Sequence, residues 1–166
     1  MKEKYELTKK CNNCGKVVKI KITKEQAAFD LYDTNRFSSE NCLDCGENQW
    51  KEMSGTIPTI DFELLDIWGN TPDYHFWEQD EDLMFSSPNE IDIIFSAIKK
   101  DEYLPEKMGI LIKTLCEILI DAIKNNLVDR EYKVKMCLKE NTTVINKYLH
   151  YIDDYLKENV LPLINV

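Results

Sequence analysis

Two stretches decide how the first third of this chain folds: Cys11-Asn12-Asn13-Cys14-Gly15 and Cys42-Leu43-Asp44-Cys45-Gly46. Two thiolates separated by two residues reach one cation from a single tight turn, and the glycine that follows accepts the positive φ such a turn imposes. A single Cys-x-x-Cys is a weak signal. Two copies, each followed by glycine, point to a tetrahedral site with Cys11, Cys14, Cys42 and Cys45 as ligands and Zn2+ as the cation. A redox dithiol and a pair of disulfides are the rival readings. Redox use needs one pair, and disulfides need an oxidising compartment to which nothing in the sequence points. Four protein ligands leave no open position for substrate or activated water, so the expected role of the zinc is structural.

The paired Cys-x-x-Cys-Gly knuckles resemble those of the zinc-ribbon family over about residues 1–55. The resemblance implies short antiparallel β-hairpins clamped by metal in place of a hydrophobic core, with the four cysteines at the ligand positions. The 27 residues between Cys14 and Cys42 exceed a short ribbon linker, and a helix is expected among them.

Working outward, Tyr5 and Leu7 alternate with charged residues before the first knuckle, and Val18, Ile20 and Ile22 alternate with Lys19 and Lys21 after it. This is the period of a half-buried β-hairpin. Thr23-Lys24-Glu25-Gln26 has the form of a capping box and is expected to open a helix reaching about Arg36. Glu47 to Ser54 fit a returning strand with Trp50 as a cover over the metal, and Gly55-Thr56-Ile57-Pro58 marks a boundary.

Beyond it, Ile60, Leu64, Ile67 and Trp68 recur at helical spacing, and Gly69-Asn70-Thr71-Pro72 is a turn with proline placed to start a further helix. Ser87-Pro88-Asn89-Glu90 is a second capping box, leading a helix to about Lys100. Pro105 begins a long central helix with Met108, Leu111, Ile112, Leu115, Leu119, Ala122 and Ile123 on one face. Val134, Cys137 and Leu138 mark a shorter helix. A last one, from Thr142 or Thr143, carries Ile145, Leu149, Ile152 and Leu156 inward. Cys116 and Cys137 sit among apolar neighbours and read as buried small hydrophobes. The expected fold class is α+β: a zinc ribbon with an inserted helix over residues 1–55, an acidic aromatic connecting segment over 56–86 packed on the bundle, and an all-α bundle of four to five helices over 87–166.

The net charge of −9 is unevenly placed. Residues 1–58 hold ten basic and nine acidic side chains, residues 59–106 hold two and thirteen, and residues 107–166 hold nine and eight. A lysine-rich hairpin therefore precedes an acidic belt. Within the belt, Tyr74, Trp77, Glu78, Asp80, Glu81 and Asp82 combine aromatic anchors with carboxylates, which is the composition of a contact surface.

Catalysis is not expected. His75 lies among Asp73, Glu78, Asp80, Glu81 and Asp82, and His150 lies beside Tyr151, but the sequence holds no nucleophile elbow, His-Glu-x-x-His, phosphate-cradling loop or dinucleotide fingerprint. The expected function is protein binding: an acidic aromatic surface engaging a basic partner. By analogy of size and charge alone, a nuclease toxin is one example of such a partner, with this chain as an immunity or antitoxin-type inhibitor. The alternative is a nucleic-acid-associated regulator contacting phosphates through Lys9, Lys10, Lys16, Lys19 and Lys21. Residues 1–10 contain no apolar stretch, and the run Met108 to Leu127 is interrupted by Lys113, Glu117, Asp121 and Lys124. A cytoplasmic protein without a membrane span is expected.

Overall fold

Alternation along Tyr5–Cys11 yields a strand (β1) whose buried side is Tyr5, Leu7, Lys9 and Cys11. The second strand, Val17–Ile22 (β2), pairs with it antiparallel from Tyr5↔Ile22 to Lys10↔Val17. Trp50–Gly55 (β4 in chain order) adds to the other edge of β1, giving the order β2-β1-β4. Its register shifts between Lys10 and Cys11, so that Trp50 comes to lie opposite Cys11. The computed structural model describes residues 5–30, 41–48, 50–55, 58–76 and 88–164. The chain divides into two compact units, Met1–Ile60 with Asp73–Gln79 and Asp61–Pro72 with Asp80–Val166, and its fold class is α+β.

In the first unit, the capping box forms as expected. The Gln26 amide donates to Thr23 Oγ1 at 3.1 Å and the Thr23 amide to Gln26 Oε1 at 2.9 Å. The helix it opens is shorter than expected. It covers Lys24–Ala28 (α1), and Phe29–Asp30 turns into a strand (β3) paired with His75–Phe76 (β5). Phe29 is completely buried and its ring packs 5.1 Å from that of Tyr74, a tertiary demand that overrides helix continuation. Residues 31–36, where the expected helix would have continued, lie outside the described residues. The helix expected after Pro72 is likewise replaced at its start by β5.

The second unit begins with Phe62–Asn70 (α2), capped by Asp61, whose carboxylate accepts from the Leu64 amide at 3.0 Å. Leu64, Leu65 and Trp68 are fully buried. The segment between residues 56 and 86 thus contributes α2 to the helical unit and β5 to the sheet-containing one. Pro88–Lys100 (α3) and Pro105–Lys124 (α4) lie where the periodicity places them, although Ser87, the expected cap, is outside the described residues. Helix α4 is central. It packs against α2, α3, Val128–Glu140 (α5), the 3₁₀ turn Leu149–Tyr151 and Asp154–Ile164 (α7). Met108, Leu111, Ile112, Leu115, Leu119 and Ala122 have no exposed surface, and each large one contributes about 1.5–3 kcal/mol relative to its exposed state. Ile123, expected on the same face, is partly exposed.

Turn chemistry sets the angles between these helices. Asn126, at φ 55°, ends α4 with the Leu127 amide reaching back to the Ala122 carbonyl at 2.8 Å, a left-handed helix stop. Asp101, at φ 52°, ends α3 in the same way, and its carboxylate accepts from the Tyr148 hydroxyl at 2.6 Å and the Lys147 ammonium at 2.9 Å. That pair of bonds explains why the expected continuous last helix is broken. Thr142–Lys147 (α6) stops at Tyr148 to meet Asp101, and the chain restarts as α7 where Asp153 accepts from the Leu156 amide at 2.9 Å. Ile145, Tyr148, Ile152 and Leu156 are nonetheless buried. Tight packing also appears at Gly69, where an added Cβ would overlap the Tyr103 ring, itself bonded through its hydroxyl to Asp66.

Two substitutions test this arrangement. Gly69→Ala is expected to destabilise the helical unit by about 1–3 kcal/mol in urea unfolding followed by helical circular dichroism. Asp101→Asn keeps a residue that tolerates positive φ but removes the charge, and about 1 kcal/mol of loss is expected at neutral pH. Burial alone would raise the Asp101 carboxyl, but the bonds from Tyr148 and Lys147 outweigh it and hold the group below its ordinary value. Its contribution is therefore complete above the ordinary aspartate range and is lost as pH falls through the lowered value. The difference between wild type and Asp101→Asn should shrink on acidification, and a constant difference would contradict the assignment.

Candidate metal centre

Each knuckle is built by the same backbone device. In the first, the Gly15 amide donates to the Cys11 carbonyl at 3.1 Å and the Cys11 amide to the Lys16 carbonyl at 2.8 Å. In the second, Gly46 donates to Cys42 at 2.7 Å and Cys42 to the Glu47 carbonyl at 2.7 Å. Gly15 and Gly46 take φ values of 74° and 76°, with open space where a Cβ would stand. The glycine requirement is thus one of backbone conformation.

These turns bring four sulfurs from residues 34 positions apart into one cluster. Cys11 Sγ lies 3.6 Å from Cys45 Sγ, Cys14 Sγ lies 3.5 Å from Cys42 Sγ, and all four sulfurs fall within 4.8 Å of one another. Four thiolates on one zinc-sized ion, with bonds of about 2.3 Å in a tetrahedron, stand about 3.8 Å apart. The cluster therefore has the size and donor set to hold a metal ion. Its closest contacts run between the knuckles, which makes the four cysteines one site rather than two dithiols. Cys11 and Cys42 are buried, Cys14 and Cys45 are exposed, and Lys16 joins the knuckles through a 3.1 Å ion pair with Asp44.

The two cysteines of the first knuckle differ electrostatically. The Cys14 amide, with help from that of Asn13, lowers the Cys11 thiol to about 7 against the opposing effect of burial. Cys14 responds oppositely. The Lys16 amide favours its thiolate, but burial and the sulfurs of Cys42, Cys45 and Cys11 push it up to about 12. A divalent metal bound at the cluster would be held by deprotonated sulfurs, so its binding would release protons. Cys116 and Cys137 differ in kind: burial raises each thiol to about 12, and they are spectators inside the helical unit.

The other residues singled out by the sequence fall in several places. Tyr74 is half-buried against Phe29, and His75 is exposed on β5 opposite Asp30. Trp77, Glu78, Asp80, Glu81 and Asp82 lie outside the described residues. His150 is exposed and stacked on Tyr151, with ring centres 4.1 Å apart. Lys19 pairs with Glu6 at 2.8 Å, Lys10 is half-buried, and Lys21 is exposed. Lys9 is set apart from these three, being 1 % exposed with its Nζ 4.0 Å from the centre of the Trp50 ring. The signal for this was present in the alternation itself, since Lys9 shares the phase of Tyr5, Leu7 and Cys11. Four carboxylates of the acidic belt are also engaged internally: Asp61 caps α2, Asp66 accepts from Tyr103, Asp92 pairs with Lys133 at 2.5 Å, and Asp101 holds Lys147 and Tyr148. Among the described residues, no helix is long and apolar enough to cross a membrane.

Comparison with known proteins finds no matching protein family, no similar curated protein and no similar solved structure.

Native mass spectrometry should find one divalent metal per chain, absent from Cys42→Ser and retained in Cys116→Ala. Gly15→Ala and Gly46→Ala should each keep the metal while weakening the first unit by about 1–2 kcal/mol. Retention of full metal loading by Cys42→Ser would show that the cluster is not the site.

Proposed function

We propose that this chain is a non-catalytic binding protein in which a structural zinc ion, held by Cys11, Cys14, Cys42 and Cys45 in a zinc-ribbon-like module, fixes the first unit, while the acidic belt engages a basic protein partner. Zinc is favoured by four thiolates at tetrahedral spacing, and a filled tetrahedron has no position left for catalysis. The observation that carries the binding role is charge segregation. The belt holds thirteen acidic side chains against two basic ones, and the ion pairs of Lys16 and Lys19 are made with Asp44 and Glu6 inside the first unit. Asp61, Asp66, Asp92 and Asp101 make bonds within the fold, and the docking role is assigned to Tyr74, Trp77, Glu78, Asp80, Glu81 and Asp82, where aromatic side chains and carboxylates alternate. Aromatic anchors beside single-sign charge steer and hold an oppositely charged protein. An inhibitor of a basic toxin, of the immunity or antitoxin kind, is one partner class that suits this chemistry, by analogy of charge and size.

Nucleic-acid contact through the hairpin is the weaker reading. Of its five lysines, Lys9 is buried and Lys16 and Lys19 are ion-paired, which leaves a thin row of charge for phosphates.

The test is to purify the partner that copurifies from the native host, identify it, and titrate it calorimetrically. A basic protein is expected, with binding weakened by salt and abolished when Glu78, Asp80, Glu81 and Asp82 are all changed to lysine, at unchanged metal content. Undiminished binding by that variant would refute the role of the belt. A salt-dependent affinity for nucleic acid lost on neutralising Lys10, Lys19 and Lys21 would replace it with the alternative.

A further inference from the structure

Strand β2 is an outer strand in the order β2-β1-β4, with β1 on one side and, among the described residues, no strand on the other. Half of its six residues turn their N–H and C=O groups away from β1. Among the described residues, Val17–Ile22 make no backbone hydrogen bond outside that ladder. The strand, Val17-Val18-Lys19-Ile20-Lys21-Ile22, holds four β-branched side chains and neither proline nor glycine, and its pairing with β1 runs without a bulge. Val18, Ile20 and Ile22 extend the face of Lys9, Leu7 and Tyr5, yet they are half-buried where their β1 partners are buried. Apolar surface and backbone groups are thus open along one edge, and an added strand would cover both.

Charge decides which strand fits. On the other face Lys19 and Lys21 are exposed, opposite Thr8 and Glu6. Lys19 donates to Glu6 at 2.8 Å, while Lys21 makes no ion pair among the described residues. With Lys10, three ammonium groups share this face of β1 and β2 with the single carboxylate of Glu6. A second β2 laid along the first would set the lysines of one copy against those of the other, and edge lysines guard against such self-pairing. The same charges favour a strand with carboxylates at alternate positions. We propose that the open edge of β2 receives an extended segment of another protein in which β-branched and acidic residues alternate, added as a further strand with its apolar side chains beside Val18, Ile20 and Ile22 and its carboxylates facing Lys19 and Lys21. The edge lies outside the acidic belt in sequence, and the inference rests neither on the role of the belt nor on the metal.

The experiment titrates the full chain against a short labelled peptide of alternating valine and glutamate at low salt, followed by fluorescence anisotropy, with amide hydrogen exchange of β2 as a second readout. Binding is expected, together with slowed exchange within Val17–Ile22. Two further peptides are titrated against the wild-type chain. One has the same composition with valines and glutamates in separate blocks, and the other has the alternating sequence N-methylated throughout. Both should bind more weakly, since the first loses the match to the pleat and the second its backbone donors. Lys21→Glu is expected to weaken binding of the alternating peptide roughly tenfold, and Lys21→Arg to preserve it. Absence of binding by the alternating peptide would overturn the proposal. Equal binding of the block or N-methylated peptide would do the same, by reducing the contact to charge attraction without strand pairing. Slowed exchange in β2 of concentrated protein without peptide, with doubled mass in sedimentation, would assign the edge to a second copy and overturn the acidic partner.

Discussion

Convergence of four sulfurs within 4.8 Å of one another is the constraint that ties the two knuckles of the first unit together. Among the described residues, the unit has a three-stranded sheet, β2-β1-β4, and a two-stranded one, β3-β5, and Tyr5, Leu7, Ala27, Ala28, Phe29 and Ile60 are buried, with Cys11 and Cys42 at the cluster. A metal bound at the cluster would add to the stability of such a small unit. The knuckle glycines and their paired amide bonds orient the sulfurs, and a cation bound among them would make their convergence favourable. Strand β1 links the two parts of the unit, since it begins in the apolar core at Tyr5 and ends at a metal-site cysteine.

The helical unit answers to a different principle. Its stability comes from one apolar helix, α4, wrapped by neighbours whose turns are fixed by left-handed residues and carboxylates. Asp101 illustrates the economy of this design, because the residue that ends α3 also stops α6 and so shapes the final third of the chain. A second buried lysine appears here: Lys107 is 1 % exposed, with its Nζ 4.6 Å from the centre of the Trp68 ring. Each unit thus seats one ammonium on one indole, an arrangement worth more in a dry setting than at a surface.

Local patterns gave away much of this. The cysteine knuckles, the β1–β2 hairpin, the Thr23–Gln26 box and the starts of α3 and α4 all rest on neighbours in sequence, and each was legible in the residues. What could not be read depends on contacts between distant segments. Helix α1 yields to strand β3 because Phe29 pairs with Phe76, and the last helix breaks because Tyr148 reaches Asp101, 47 positions away. Neither demand leaves a mark on local periodicity. Charge counting alone also does not reveal that several belt carboxylates act as caps and hydrogen-bond acceptors. Lys9 shows the same lesson in reverse, as its place in the alternation was a stronger guide to its environment than its charge.

The cysteine cluster and the sheet meet at β1, which ends at Cys11. The most direct measurement is X-ray absorption at the zinc edge of the protein purified without added metal. Four sulfur neighbours at about 2.3 Å, and no lighter ligand, are predicted for the closed site. A shell containing nitrogen or oxygen at about 2.0–2.1 Å, or protein that carries no zinc at all, would contradict a structural metal held by these four cysteines.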